Sequence, residues 1–251
     1  MIRRIEELSL NAWPAAQTSL YDGWLLRFSG GYTRRANSVQ PLYPSSLDLG
    51  EKIRACEAFY RGAGLPVIFK MTPDSQPQGL DERLADEGYA READTSLQVL
   101  DLSAQGVWDL PAPAPLDADL TIENGLGGEW MAAFARMSAT SEQAAANHRR
   151  ILESILPQCG YLALKVNGQV AACGLGVVEN GWLGLFDIVV DSALRNQGLG
   201  ERVVRGLLGW GRQHGARSAY LQVMHNNPPA LRLYAKVGFR ELYTYWYRVK
   251  T

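Results

Sequence analysis

Residues 182–210 read WLGLFDIVVDSALRNQGLGERVVRGLLGW. Trp182 to Val190 is rich in β-branched and aromatic residues, which predicts a strand. Gly200 to His214 follows with Val203, Leu207, Leu208 and Trp210 on one helical face. Between them lies Arg195-Asn196-Gln197-Gly198-Leu199-Gly200. Gly198 and Gly200 have no β-carbon, so backbone N–H groups can converge and a ligand can approach closely. The helix that opens there brings partial positive charge and unsatisfied donors, and Arg195 adds a full charge. Such a loop suits a diphosphate, the alternative being a glycine-assisted strand-to-helix turn with no ligand. It is not a Walker A loop, because Glu201-Arg202 follows the last glycine where Lys-Ser/Thr is required. It is not a G-x-G-x-x-G dinucleotide fingerprint either.

Working outward, the segments on both sides alternate between strand and helix. Leu120–Glu123 is a short strand. Gly128–Ala139 and Glu142–Leu156 are helices, the second stopped by Pro157 and Gly160. Tyr161–Val166 and Gln169–Val178 form a hairpin about Asn167-Gly168. Ala219–Val223 is a strand, Pro229–Val237 a helix and Phe239–Val249 a last strand. The order predicts an α/β fold with a mixed central β-sheet flanked by helices.

Downstream, residues 227–239 read NPPALRLYAKVGF. With the glycine loop, this run resembles the GNAT superfamily, the GCN5-related N-acetyltransferases. The family's R/Q-x-x-G-x-G/A loop matches Arg195, Gly198 and Gly200. Its N-x-x-A-x-x-L-Y-x-x-x-G-F run matches Asn227, Ala230, Leu233, Tyr234, Gly238 and Phe239. The resemblance covers roughly residues 119–251. It implies an N-acetyltransferase that moves the acetyl group of acetyl-CoA to a primary amine by direct attack on the thioester. It also implies that the amides of Arg195, Asn196, Gln197, Gly198, Leu199 and Gly200 hold the CoA pyrophosphate. Ile188, Val189 and Val190 would pair with pantetheine, Asn227 would contact the CoA arm, and Tyr234 would sit near the thioester sulfur. A phenol is protonated at neutral pH and can give its proton to a departing thiolate. The Val189 N–H is the expected oxyanion donor. Asp187 and Glu142 are the candidate general bases, with a water chain as the alternative. His148, His214 and His225 are isolated in sequence and read as surface or packing residues. Trp182, Trp210, Tyr243, Tyr245 and Trp246 read mainly as packing, with an acceptor pocket as the alternative.

The first lobe resembles a degenerate GNAT-like copy of the second. A shift of 150 residues places Gly50-Glu51 on Gly200-Glu201 and Gly88-Tyr89 on Gly238-Phe239. Helices are expected over Asp48–Ala63 and Leu80–Glu87. Strands are expected over Gly23–Ser29, Thr33–Pro41, Val67–Met71 and Thr95–Leu102. In this register Ser45 replaces Arg195, Asp48 replaces Gly198 and Leu84 replaces Tyr234. A carboxylate at the helix start repels a pyrophosphate and leucine has no proton to give, so this lobe is not expected to bind CoA productively. Arg34, Arg35 and Asn37 are candidates to reach a ligand from it, or else part of a solvated strand edge. The expected division is 1–103, a Pro-rich linker over 104–118 containing Pro111, Pro113 and Pro115, and 119–251.

Composition narrows the partners. The 251 residues carry 25 Lys and Arg against 26 Asp and Glu, with 47% hydrophobic residues. A chain of net charge −1 lacks the basic surplus that nucleic acid requires, although residues 119–251 alone reach +4. No apolar run is long enough for a membrane span, and the basic N-terminus leads into Glu6 and Glu7 and not into a signal sequence. Cys56, Cys159 and Cys173 are scattered, so neither disulfides nor a metal site is expected. A cytoplasmic enzyme, monomer or homodimer, is the resulting expectation. Two other classes compete: a catalytically inactive CoA-binding sensor or interaction module, against which Tyr234 and Asn227 argue, and a nucleotide-phosphate enzyme, for which the Lys and Mg²⁺-binding Ser/Thr are missing.

Overall fold

The computed structural model describes residues 1–103 and 118–251; the expected linker lies almost wholly outside the described residues. In chain order the elements are α1 (Ile2–Ala12), β1 (Gln17–Tyr21), β2 (Trp24–Phe28), β3 (Val39–Gln40), α2 (Leu49–Gly62), β4 (Val67–Met71), α3 (Leu80–Asp86) and β5 (Ala90–Asp101). There follow β6 (Ala118–Glu123), α4 (Gly128–Met137), α5 (Glu142–Glu153), β7 (Gln158–Val166), β8 (Gln169–Glu179), β9 (Trp182–Val190), α6 (Leu199–Gln213), β10 (Ser218–Met224), α7 (Pro228–Val237) and β11 (Arg240–Lys250). Two compact units form: Met1–Ser96 with Tyr243–Thr251, and Leu97–Leu242. The expectation of 1–103 and 119–251 assigned the whole last strand to the second lobe. In the structure Trp246–Lys250 pairs antiparallel with β4, from Trp246↔Met71 to Lys250↔Val67, and so completes the first unit.

In the first unit β1–β2 and β2–β3 are antiparallel and β3–β4 parallel, over a core of Trp24, Ile53, Tyr60, Phe69, Leu80 and Leu84. The strand expected over Thr33–Pro41 is reduced to Val39–Gln40. A 3-10 turn occupies Arg34–Ala36 instead. The cause is Asn37, whose buried Oδ1 accepts from Ser29 N at 2.7 Å and Gly31 N at 2.9 Å, while its amide donates to Tyr32 O and Thr33 O. A side chain that satisfies four backbone groups competes directly with a ladder. Arg34 pairs with Glu92, and Arg35 lies over the Trp13 ring at 4.7 Å, so Arg34, Arg35 and Asn37 all have internal partners. Two elements were not anticipated, α1 and β1. Ile5, Leu8 and Ala12 give α1 a buried stripe at helical spacing.

In the second unit the strands run β5-β10-β9-β8-β7-β6. β6 to β9 form an antiparallel meander and β9–β10 is parallel. Helix α6 buries Val203, Val204, Leu207, Leu208 and Trp210 against β7, β8 and β9. Its close approach depends on small residues beneath it. A Cβ at Gly160 would lie 2.6 Å from the Trp210 ring, and one at Gly176 would lie 3.1 Å from it. Trp210 is thus core packing, as are Tyr243 and Trp246 of the first unit, whose polar atoms bond to Glu6 and Asp81. Gly160→Val is expected to lower the unfolding free energy by roughly 1–3 kcal/mol, because the indole cannot move without displacing α6. A thermal melt unchanged from the wild type would show that the helix is free to shift.

Candidate active site

β9 determines the shape of the site. Its parallel pairing with β10 runs from Ser218↔Trp182 to Leu221↔Leu185 and stops there, although β9 continues to Val190 and β10 to Met224. On its other edge the β8 register jumps from Leu175↔Phe186 to Cys173↔Val189, so that Asp187 and Ile188 together face Gly174. This is a β-bulge, and Asp187 adopts φ 51°, a left-handed conformation that a non-glycine residue enters only when its surroundings hold it there. A bulge bends its strand and increases local twist. Past it, among the described residues, no β10 residue pairs with Ile188, Val189 or Val190.

The opening is a cleft of about 550 Å³ lined by Ile188, Val189, Val190, Arg195, Asn196, Gly198, Leu199, Gly200, Asn227 and Tyr234, among others. The expected cofactor-binding residues are therefore brought together, except Gln197, which is exposed and not part of this lining. The loop is anchored from behind. Asp191 accepts from Ala193 N at 3.0 Å and from Arg136 Nη1 at 2.8 Å, and Asp191 N donates to Ala171 O. Asn196 (φ 62°) and Gly198 (φ 80°) make the left-handed turn that starts α6, and among the described residues no side chain caps that helix. Its first N–H groups therefore remain available at the cleft. Gly200 packs closely, since a Cβ there would lie 3.3 Å from Leu233. Glu201, whose carboxylate would oppose an anion, is held by Lys236 at 2.6 Å and Arg205 at 3.0 Å. Burial raises its pKa, but the two cations outweigh that and the net shift is downward.

Tyr234 is buried against Phe239, and burial pushes its phenol up to about 12, so it stays protonated through the neutral range. Asn227 caps α7 by accepting from Ala230 N. Glu142 stands exposed in the first turn of α5, where Ser141 is the cap, and does not line the cleft. Asp187 adjoins the cleft-lining strand end, and its carboxylate meets a residue that sequence reasoning did not connect to it: His148 Nε2, 2.7 Å from Asp187 Oδ2. His148 is fully buried on α5. Its position four residues after Ala144 and three before Ile151, on the buried stripe of an amphipathic helix, was the available signal for its burial. His214 packs on Trp210, and His225 lies near Glu241.

The corresponding loop of the first unit is filled from within. Ser46 N and Leu47 N donate to the Asp22 carboxylate at 2.9 and 3.0 Å, joined by the Ser45 and Ser46 hydroxyls at 2.8 Å each and by Lys52 Nζ at 3.2 Å. Lys52 has no exposed side-chain surface and lies over Trp24. Asp48 caps α2 by accepting from Glu51 N. The stretch that aligns with Arg195-Asn196-Gln197 thus grips a carboxylate of its own chain, and Leu84, in the place of Tyr234, is core.

Comparison with known proteins agrees with this architecture. The family model described as "Probable histone acetyltransferase Rv0428c C-terminal" matches residues 1–248. The uncharacterized N-acetyltransferase YobR of Bacillus subtilis is 32% identical over 253 residues, covering 99% of this chain and 98% of that one. A GCN5-related N-acetyltransferase from Kribbella flavida superposes with a TM-score of 0.69 at 15% identity, covering 99% of this chain and 95% of that one. A tandem GNAT protein from the clavulanic acid biosynthesis pathway gives 0.70 at 15% identity, covering 98% and 87%. The fold is that of a tandem GNAT protein, and the enzyme class it defines is the acyl-CoA N-acyltransferases. Within that class, the chain belongs to the Rv0428c C-terminal family.

The Asp22 contacts make a prediction about acid stability. Backbone N–H groups of Leu47 and the Ser46 hydroxyl hold this carboxyl well below the usual carboxylate range. Its ionised form is therefore favoured in the folded chain. That stability is present above the unfolded value of about 4 and is lost as pH falls through the depressed folded value. Asp22→Asn should lower the melting temperature at pH 7, with the gap to wild type closing below about pH 4. A gap that stays constant into strong acid would refute the assignment.

Proposed function

We propose that the second unit transfers the acetyl group of acetyl-CoA to a primary amine, and that the first unit takes no coenzyme. One observation supports this reading above the rest: an uncapped helix N-terminus, a strand edge released by a bulge and a protonated phenol line one cleft. The three features fit three parts of one donor molecule. The amides of residues 198–200 and Arg195 suit a diphosphate. The cleft-side backbone of Ile188–Val190 suits an extended chain containing amides. Tyr234 suits the sulfur.

Acetyl-CoA supplies the activated carbonyl. A backbone N–H of the cleft-facing strand end Ile188–Val190 stabilises negative charge on its oxygen. Asp187 takes a proton from the incoming ammonium, and Glu142, exposed on α5, has no part in this scheme. The amine lone pair then forms the C–N bond as C–S breaks. Tyr234 gives its proton to sulfur and regains one from the nitrogen. Of the two protons shed by nitrogen, one therefore ends on the CoA thiol through Tyr234, and the other leaves Asp187 for solvent. Asn227 orients the arm of the coenzyme, and Arg136, through Asp191, keeps the loop in place.

Free-thiol release from acetyl-CoA with a panel of amines tests the reaction. Release that depends on an amine is expected, whereas coenzyme binding without release for any amine would favour a sensor module. Tyr234→Phe should lower kcat by roughly 10²-fold with unchanged affinity for acetyl-CoA, since the phenol acts only as sulfur leaves. Equal rates would remove it as the acid. Gly198→Asp, which copies Asp48 of the first unit, should abolish coenzyme binding in a calorimetric titration. Wild-type affinity in that variant would overturn the cradle.

A further inference from the structure

We propose that His148 is a positioning residue for Asp187, so that the base of the reaction is a buried carboxylate–imidazole pair and not a lone carboxylate. This rests on the function proposed above. The starting point is the bulge. It turns Asp187 out of the strand register at φ 51° and leaves its side chain 8% exposed, immediately before the strand segment that lines the cleft. His148 reaches that carboxylate from α5 with a side chain that has no exposed surface. Its ring is wedged against Phe134 of α4, with centroids 4.5 Å apart, and lies 6.4 Å from Trp130.

A carboxylate that serves as the base can only accept, so in this pairing the proton sits on His148 Nε2, 2.7 Å from Asp187 Oδ2. That bond takes up Oδ2. Among the described residues no other hydrogen bond reaches the Asp187 side chain, which leaves Oδ1 for an incoming ammonium. The remaining groups that face the pair do not replace His148. Tyr161 of β7 and Cys173 of β8 are within electrostatic reach of Asp187, and burial raises both, so each keeps its proton. From α4 come the uncharged rings of Trp130 and Phe134, while Arg136 of that helix is engaged by Asp191 and the Val170 carbonyl. Sequence spacing gives no hint of the pair, because its members stand 39 residues apart.

A double-mutant cycle in kcat separates positioning from mere support of the fold. Asp187→Asn should lower kcat by roughly 10²-fold. His148→Leu should lower it by about 10-fold or more, with the KM for acetyl-CoA within about twofold of wild type. His148→Gln, which keeps an N–H donor, should recover part of that loss. In the Asp187→Asn background, replacing His148 should cost nothing further. Equal losses in both backgrounds would reduce His148 to a packing residue and overturn the proposal. Should the variants fail to fold, ¹⁵N spectra of the wild-type ring decide: a proton on Nε2 is expected, and a ring protonated on Nδ1 alone would overturn the pairing. A wild-type protein that releases no thiol with any amine would remove the proposed function and this inference together. An active wild type with an additive cycle would remove this inference alone.

Discussion

The structure of the second unit depends on one interrupted ladder. β9 is fully paired to β10 as far as Leu185, and a single bulge at Asp187 then ends that pairing. Unpaired strand backbone is costly in a protein interior, so a chain retains it where water or a ligand can satisfy it. Here it borders a cleft whose opposite lip is the start of α6, where four more N–H groups lack intrahelical partners. The same bulge turns Asp187 toward His148. One local irregularity thus produces the opening, the free strand edge and the placement of the carboxylate.

Around this opening, the second unit holds its loop and helices from behind. Gly160 and Gly176 let α6 sit low on the sheet, which sets the height of its N-terminus. Arg136 ties α4 to Asp191 and to the Val170 carbonyl, so the loop leading to the glycines starts from a fixed point. Lys236 and Arg205 neutralise Glu201, the one carboxylate in the cleft lining among the described residues, and Lys236 also joins α6 to the helix that bears Tyr234. These contacts act by position more than by strength, since ion pairs with an exposed partner contribute about 1 kcal/mol or less.

The two units use aligned loops for opposite ends. In the second, the turn before α6 keeps its amides open and its helix uncapped. In the first, Asp48 caps the helix, and Asp22 occupies the amides of Ser46 and Leu47 with a buried lysine behind it. Convergent N–H groups attract an anion in either case. Whether it is a ligand or a side chain of the chain depends on whether a carboxylate stands within reach.

The glycine loop, the helix faces of α6 and α7, and the hairpin at Asn167-Gly168 were legible because their determinants are local: a missing β-carbon, a 3.6-residue period, a tolerance of positive φ. So were the residues that stand in the first unit where the second has Gly198 and Tyr234, since Asp48 and Leu84 announce their chemistry by type. Pairings between distant residues were not legible. Neither the return of Trp246–Lys250 to β4, nor Asn37 overriding a strand, nor Asp22 meeting Ser46, nor His148 meeting Asp187 follows from spacing. Each links segments whose proximity depends on packing, and a one-residue bulge changes which faces meet. The sequence by itself determined the class of fold and marked the residues proposed to bind a diphosphate and protonate a thiolate. Only the tertiary structure decided that Asp187 meets His148 beside the strand end, because a side chain's partner is set by where the sheet bends.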